Sequence, residues 1–331
     1  MLGPVAWRTP PTHYGPWELV TSLLTEGLVA RGHDVTLFAT QDSITTADLD
    51  GPCRRGYAED HGVDGRIAEA LHVSHALSRT AEFDLVHNQM DWLPLAFSAH
   101  CRAPMLTTIH GFSGAGILPA YQHADSAYVS ISDADRSPDL TYLRTIYHGI
   151  DLDSLPLADG GEDLVVFGRI HPDKGTADAI RIARAVDRRL VICGIVQDDR
   201  YFAEEIQPHI DDDAVVYLGS VGHDRRAEVL GSAAALLHPI VFAEPFGLSV
   251  VEAMACGTPV VAYRRGAMPE VIDVGVTGFL ADDVDSAVAA LERALTLDRR
   301  VVSQRATGRF SAARMVEEYI AVYSEVIKVR R

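Results

Sequence analysis

Lysine is almost missing from this chain. Of 29 basic residues in 331, only Lys174 and Lys328 are lysine, and 46 acidic residues bring the net charge to −17. Phosphate backbones and anionic lipid surfaces attract basic patches, so this balance argues against nucleic acid and against anionic membranes as main partners. The stretch up to residue 156 shares the bias, with 9 Arg, no Lys and 19 Asp plus Glu. No apolar run approaches the roughly 18–20 residues of a membrane helix, so no stable membrane insertion is expected. The first residues, Met1 to Arg8, lack the basic segment and long apolar core of a secretory leader, so the expected location is cytoplasmic. The cysteines, Cys53, Cys101, Cys193 and Cys256, form no C-x-x-C pair, which excludes a zinc knuckle or redox motif and leaves packing thiols. No G-x-G-x-x-G and no Walker sequence is present, so neither a nicotinamide dinucleotide site nor a P-loop is expected. No residue set resembles a metal site, and the Asp211-Asp212-Asp213 run between a helix and a strand reads as a solvated turn.

What is present is a soluble α/β pattern, 47% apolar and long enough for about two domains. Short apolar runs alternate with helical periods. Leu2 to Ala6, Val35 to Ala39, Ala81 to His87, Met105 to His110, Ser126 to Ser132 and Arg144 to Tyr147 read as strands, with a helix over Trp17 to Arg31. The aperiodic segment Asp151 to Asp163, rich in Asp, Gly and Pro, reads as a linker. A second series follows: strands at Leu164 to Gly168, Leu190 to Gly194, Ala214 to Leu218, Ala233 to Ile240 and Pro259 to Tyr263, with helices between them and a closing helix from Ala312 to Lys328. Such alternation implies parallel sheets with helices on both faces. The expected architecture is two Rossmann-like domains, 1–156 and 157–311, with a small-molecule cleft between them and the 312–331 helix packing back on the first.

Four places carry chemistry or are candidates for it. Glu244-Pro245-Phe246-Gly247-Leu248-Ser249-Val250-Val251-Glu252 follows a strand and opens a helix, the position where α/β proteins hold polar ligands. The first amides of that helix are available to phosphate or sugar oxygens; Glu252, one turn in, can accept two ribose hydroxyls, and Glu244 faces the sugar. A helix-start carboxylate favoured by the dipole is the simpler account of Glu244, and it serves Glu252 poorly. In Gly168-Arg169-Ile170-His171-Pro172-Asp173-Lys174-Gly175-Thr176, a strand ends and a helix begins with Arg169 and Lys174 flanking the turn. Arg binds phosphate bidentately and Lys acts as a point charge, so the pair forms a diphosphate clamp; the alternative is two solvated surface cations. The segment Pro10 to Glu18, containing Gly15, is either a phosphate-approach loop or a Pro/Gly turn. In Thr107-Thr108-Ile109-His110-Gly111-Phe112, a histidine sits at a strand's carboxyl end, where it can touch substrate or serve the core.

Together these segments resemble the GT4 family of retaining, nucleotide-sugar-dependent glycosyltransferases with the GT-B fold. The Glu244–Glu252 block matches that family's E-x7-E signature. Arg31-Gly32-His33-Asp34-Val35-Thr36, Tyr147-His148-Gly149-Ile150-Asp151, Gly168-Arg169 with Lys174-Gly175, and Gly266-Ala267-Met268-Pro269-Glu270-Val271-Ile272 match further ordered motifs over nearly the whole chain. The resemblance implies two Rossmann-like domains with parallel sheets facing across a cleft, and a hexose moved from a UDP- or GDP-linked sugar to an unidentified acceptor: a sugar, a glycolipid or a small metabolite. No cofactor or metal is required. It implies that Arg169 and Lys174 hold the diphosphate and that Glu252 binds the ribose. Glu244, with the amides of Phe246, Gly247 and Leu248, binds the sugar hydroxyls. His110 lies near the sugar, Gly15 near the phosphates, and the backbone of Gly219, Ser220 and Val221 faces the base. The reaction implied is front-face attack, in which the leaving phosphate takes the acceptor's proton. Acceptor choice falls to the first domain, whose loops at 41–75 and 111–123 carry no readable code.

The chain departs from the family pattern in four places. Pro16 replaces the second glycine of the first loop and removes an N–H. His148 stands where Asn is common, Val196 where a second glycine follows Gly194, and Arg264-Arg265 precedes Gly266. A phosphorylase or epimerase-like enzyme on the same fold, and a non-catalytic nucleotide-sugar-binding partner, are the competing readings.

Overall fold

The computed structural model describes residues 1–60, 62–111 and 114–329. Position 61 of the 41–75 loop, Phe112 and position 113 of the 111–123 loop, and positions 330 and 331 of the expected last helix lie outside the described residues. The chain divides into two compact units: Met1–Gly149 joined by the segment from Ala312 onward, and Ile150–Ser311.

In the first unit the expected opening strand is cut to a single residue. Leu2 bridges both Phe38 and Asn88, and the Gly3 amide still donates to Phe38. Pro4 then has no N–H to continue the ladder. Helix α1 (Pro16–Val29) starts on Gly15, with proline at its first position, where the missing N–H would have no intrahelical acceptor. Strand β1 (Thr36–Phe38) pairs in parallel with β2 (Asp48–Asp50), whose Asp-Leu-Asp sequence gives no strand signal. Helix α2 (Gly65–Ser78) is capped by Asp64, which accepts from the amides of Arg66 and Ile67. Strands β3 (Val86–Asn88) and β4 (Met105–Ile109), helix α3 (Leu118–His123), and strands β5 (Ala127–Ser130) and β6 (Arg144–Thr145) complete a parallel sheet of order β3-β4-β5-β6.

The second unit runs β7 (Leu164–Phe167), α4 (Thr176–Ala185), β8 (Leu190–Cys193), α5 (Asp199–Tyr201), β9 (Val215–Gly219), α6 (His223–Gly231), β10 (Ala235–His238), α7 (Leu248–Ala255), β11 (Val260–Tyr263), α8 (Met268–Val271), β12 (Gly278–Ala281), α9 (Val284–Ala294) and α10 (Arg299–Phe310). Its six strands are parallel, in the order β12-β11-β10-β7-β8-β9. Leu164, Val166, Leu190, Ile192, Ala235 and Leu237 stand in one core cluster, and fully burying a Leu, Ile or Val side chain contributes about 1.5–3 kcal/mol. The chain lays β8 and β9 on one side of β7, then returns to build β10, β11 and β12 on the other. Strand order therefore reverses between β7 and β10, and a crevice opens at the carboxyl ends of strands at such a switch point. Ile150 and Ser311, at the two ends of the unit, are bridged to each other.

The last helix, α11 (Ala312–Val329), belongs to the first unit. It is anchored by hydrogen bonds of Tyr323 to His87 (2.7 Å) and of Tyr319 to Thr108 (2.8 Å). No described helix is long and apolar enough to cross a membrane.

Candidate active site

The switch point is where the basic and acidic residues meet. After β7, the Gly168 amide donates to Cys193 and that of Ile170 to Ile195, holding the exit loop against the end of β8. Gly194 allows this closeness: a Cβ there would lie 1.6 Å from the Gly168 carbonyl oxygen. The chain then makes one tight turn, Pro172–Lys174, and reaches α4 through Gly175 in the left-handed region (φ 68°). The Val241 amide donates to the Asp173 carbonyl (2.9 Å), which ties this turn to the loop after β10. Gly168, Arg169, Lys174, Thr176 and His238 line a concavity with about 250 Å³ of empty volume, part of it open to solvent.

Lys174, which lines this concavity, is paired directly with Glu244. Lys174 Nζ donates to Glu244 Oε2 at 3.0 Å, with the two side chains only 16% and 14% exposed. The ammonium also sits 4.4 Å from the centre of the Phe242 ring. Arg169 points its guanidinium toward Asp173 at 3.9 Å, beyond hydrogen-bonding distance. Lys174 thus stands beside the carboxylate of the loop after β10, and Arg169 lines the same concavity as Lys174. The Glu244 loop is shaped from behind by Gly266 (φ 52°), whose Cβ position lies 2.2 Å from the Glu244 carbonyl oxygen. That carbonyl accepts the Ala267 amide at 2.8 Å. The glycine of the Gly266–Ile272 motif is therefore a support for Glu244.

Helix α7 starts at Leu248 on a left-handed Gly247 cap (φ 89°). First-turn amides of a helix have no intrahelical acceptor and carry partial positive charge, which makes this end an anion-friendly edge. Phe246 is buried, edge-on to Phe310 at 5.9 Å, so only its backbone is offered to a ligand. Glu252 is buried on the same helix. Its Oε1 takes the Arg226 guanidinium at 2.7 Å, and its Oε2 is buried without a hydrogen-bond partner. Of the two Glu252 oxygens, one is engaged by Arg226. An unsatisfied buried acceptor costs about 1–3 kcal/mol, which a ligand hydroxyl would relieve.

Gly219 ends β9, and its carbonyl accepts the Gly194 amide; Ser220 is exposed and Val221 buried before α6 begins. Arg226 on α6, not singled out by the sequence, is 14% exposed and lies over the Phe167 ring at 5.2 Å. A buried Glu252 signals that some cation must partner it, but not which one. His238, the last residue of β10, is the second residue missed. Its Nε2 lies 3.8 Å from Glu244 Oε2, and burial pushes its ring pKa down to about 4. In sequence it stands inside the expected strand Ala233 to Ile240, and only the structure ends that strand at His238.

The structure places His110 and Gly15 in the first unit. His110 is buried; its Nε2 contacts Gln89 Oε1 at 2.6 Å and its Nδ1 contacts His148 Nε2 at 3.3 Å. With Gln89 as acceptor, Nε2 carries the proton and Nδ1 accepts from His148. The ring stacks on Trp17 at 5.1 Å, and burial lowers its pKa to about 3, so it is neutral. His148, where relatives often carry Asn, serves as a partner of His110. Gly15 (φ 147°) is closely covered: a Cβ would come within 2.8 Å of Pro11 and 2.9 Å of Glu18. Arg264 is an exposed side chain 3.5 Å from Asp282. Asp211 folds its own turn, accepting the Asp213 and Val215 amides. Among the described residues no group of His, Cys, Asp and Glu is placed to hold a metal.

Glu18 yields a pH prediction. It is buried beneath the Gly15 turn and accepts the Trp7 amide at 3.2 Å. Burial raises its pKa from 4.5 to about 7 against that hydrogen bond. A raised folded-state pKa means stability present below pH 4.5 and lost as pH rises through about 7. Glu18→Gln is expected to melt with wild type at pH 5 and to be more stable at pH 8, by up to about 3 kcal/mol. Calorimetric melting at the two pH values checks this; equal stability at both contradicts it.

Comparison with known proteins gives the fold and the family. AviGT4, a glycosyltransferase involved in avilamycin A biosynthesis, is similar in structure with a TM-score of 0.74 at 24% identity, over 99% of this chain and 97% of that one. Anabaena HepE, solved in complex with UDP-glucose, matches with a TM-score of 0.74 at 19% identity over 98% of both chains. In sequence, the glycogen synthase of Mycobacterium tuberculosis is 27% identical over 366 aligned residues, covering 91% of this chain and 87% of its own. The fold is GT-B, and the protein is a glycosyltransferase. The model of glycosyl transferases group 1 matches residues 150–309, and that of glycosyltransferase family 4 matches residues 18–154. The chain belongs to the GT4 family.

Proposed function

We propose that this glycosyltransferase moves a hexose from a UDP- or GDP-linked sugar to an acceptor hydroxyl with retention of anomeric configuration. The observation that carries the reading is the largely buried Lys174–Glu244 pair at the switch point, with Arg169 lining the same concavity as Lys174. Cations there meet the diphosphate, and a carboxylate one ion-pair length away meets the sugar attached to it. HepE, solved with UDP-glucose, makes a uridine donor the first to test.

In this reading Arg169 and Lys174 stabilise the charge that grows on the leaving diphosphate, the task a divalent metal performs in other transferases, so no metal is required. The bond from the anomeric carbon to phosphate breaks as the acceptor oxygen approaches on the same face. A phosphate oxygen takes the acceptor's proton. Glu244 accepts from sugar hydroxyls, the amides of Phe246, Gly247 and Leu248 donate to sugar oxygens, and Glu244 forms no covalent bond. The free oxygen of Glu252 takes a ribose hydroxyl, and the Gly219–Val221 backbone borders the base. Roles for His110 beside the sugar and Gly15 beside the phosphates follow from the family resemblance alone. The acceptor is a sugar, a glycolipid or a small metabolite, and a cytoplasmic location belongs to the same reading.

The stereochemical test is proton NMR during the first turnovers of UDP-glucose and GDP-mannose, with water as acceptor. The α-anomer appearing first, with no glycosyl adduct on Glu244 by intact-protein mass, is the expected result. Initial release of the β-anomer would overturn retention. A Glu244 adduct would overturn front-face attack.

A further inference from the structure

We propose that His238 is a positioning residue for Glu244: its Nε2 holds Glu244 Oε2 once Lys174 turns to the donor's diphosphate. The inference rests on the donor reading above and adds a residue to it.

Two groups converge on one carboxylate oxygen. Lys174 Nζ holds Glu244 Oε2 at 3.0 Å, and His238 Nε2 faces the same oxygen from 3.8 Å. His238 is buried, and its Nε2 has no hydrogen-bond partner. A buried polar atom left unmatched is rare in folded proteins and asks for an explanation. The backbone that carries the ring is fixed on both sides. It ends β10, paired in parallel with Ala262 of β11, and the loop that follows is tied to the Lys174 turn through Val241 and the Asp173 carbonyl. The Pro239 carbonyl oxygen lies 1.9 Å from the Cβ position of Gly175, so no side chain fits between them.

A diphosphate carries more negative charge than one carboxylate and draws the ammonium to itself. Glu244, 14% exposed, then loses its contact with Lys174. The neutral His238 ring supplies one N–H, and a sub-ångström approach brings it to hydrogen-bonding distance. Lys174 and Glu244 act on the ring with opposite sign, the carboxylate favouring its protonation and the ammonium opposing it. Oε2 is thus held in both states, and Oε1 remains for the sugar hydroxyl.

The test is a two-bond proton–nitrogen NMR correlation on histidine-labelled protein, with the His238 signal assigned by its loss in His238→Gln. In Lys174→Ala, without any nucleotide, Glu244 has lost its lysine, so the His238 Nε2 resonance is expected to move to the position of a hydrogen-bonded N–H. Saturation of the wild type with UDP or GDP is expected to produce the same shift. In kinetics with UDP-glucose and GDP-mannose, His238→Leu is expected to lower kcat about tenfold with nucleotide affinity within about twofold, and His238→Gln, which puts an amide near the Nε2 position, to recover most of it. An Nε2 resonance unmoved in Lys174→Ala, or equal turnover of the Leu and Gln variants, would overturn the proposal. Failure of both nucleotides to bind wild type would instead sink the donor reading, while the Lys174→Ala spectrum would still decide on His238.

Discussion

Lys174→Ala is expected to lower nucleotide-sugar turnover by about 10²–10³-fold, the range measured when one preorganised charge-stabilising donor is removed from an active site. The residue holds Glu244 at 3.0 Å in the free protein and shares its concavity with Arg169. Charge on the departing diphosphate grows toward the transition state, so the loss should fall mainly on kcat, with a smaller loss in donor affinity. Arg169 remains in the variant, which keeps nucleotide binding measurable. Initial rates across donor concentration separate the two effects. A kcat within about threefold of wild type would remove Lys174 from the chemistry.

Glu252→Leu should be the most damaging change to stability near the site. It leaves the Arg226 guanidinium, 14% exposed, without its carboxylate. Breaking a buried pair by removing one partner costs about 3–5 kcal/mol. At roughly 2–4 °C per kcal/mol for a unit of this size, the melting temperature should fall by about 10 °C. Removing both partners at once, Glu252→Leu with Arg226→Met, should restore much of that stability, because neither charge is then stranded. Nucleotide affinity should not return with it, since the buried Oε2 that the ribose hydroxyl would satisfy is absent from both variants. Melting curves and nucleotide dissociation constants, measured on the single and double variants, separate the structural part from the binding part. A double variant that binds nucleotide like wild type would take Glu252 out of ribose recognition.

Much of the α/β framework could be read from periodicity, because buried parallel strands such as Leu164–Phe167 and Val260–Tyr263 are continuous apolar runs bounded by turn residues. Asp48–Asp50 could not, since its sequence is polar and only its pairing with Thr36–Phe38 makes it a strand. The opening strand was overread because Pro4 ends the ladder where the apolar run does not. Glu244, Arg169 and Lys174 were visible as chemistry-bearing residues at strand ends; their pairing, 70 residues apart in sequence, was not. Arg226 was hidden by its setting in a polar helix, and its importance comes only from the acid opposite. His238 was hidden because a histidine inside an apolar run looks like core until the carboxylate facing it is known. Gly266 was noticed as part of a motif, and the close approach to the Glu244 backbone supplies its reason.

The measurement closest to the central claim is calorimetric titration of UDP, GDP and ADP, each beside its own monophosphate, into the intact protein and into Lys174→Ala. One nucleoside diphosphate is expected to bind at least about tenfold more tightly than its monophosphate, a difference of about 1.4 kcal/mol assigned to the Arg169–Lys174 clamp. In Lys174→Ala most of that preference should vanish while the monophosphate binds as before. Equal binding of mono- and diphosphate by the wild type, or a preference that survives the substitution, would contradict the account.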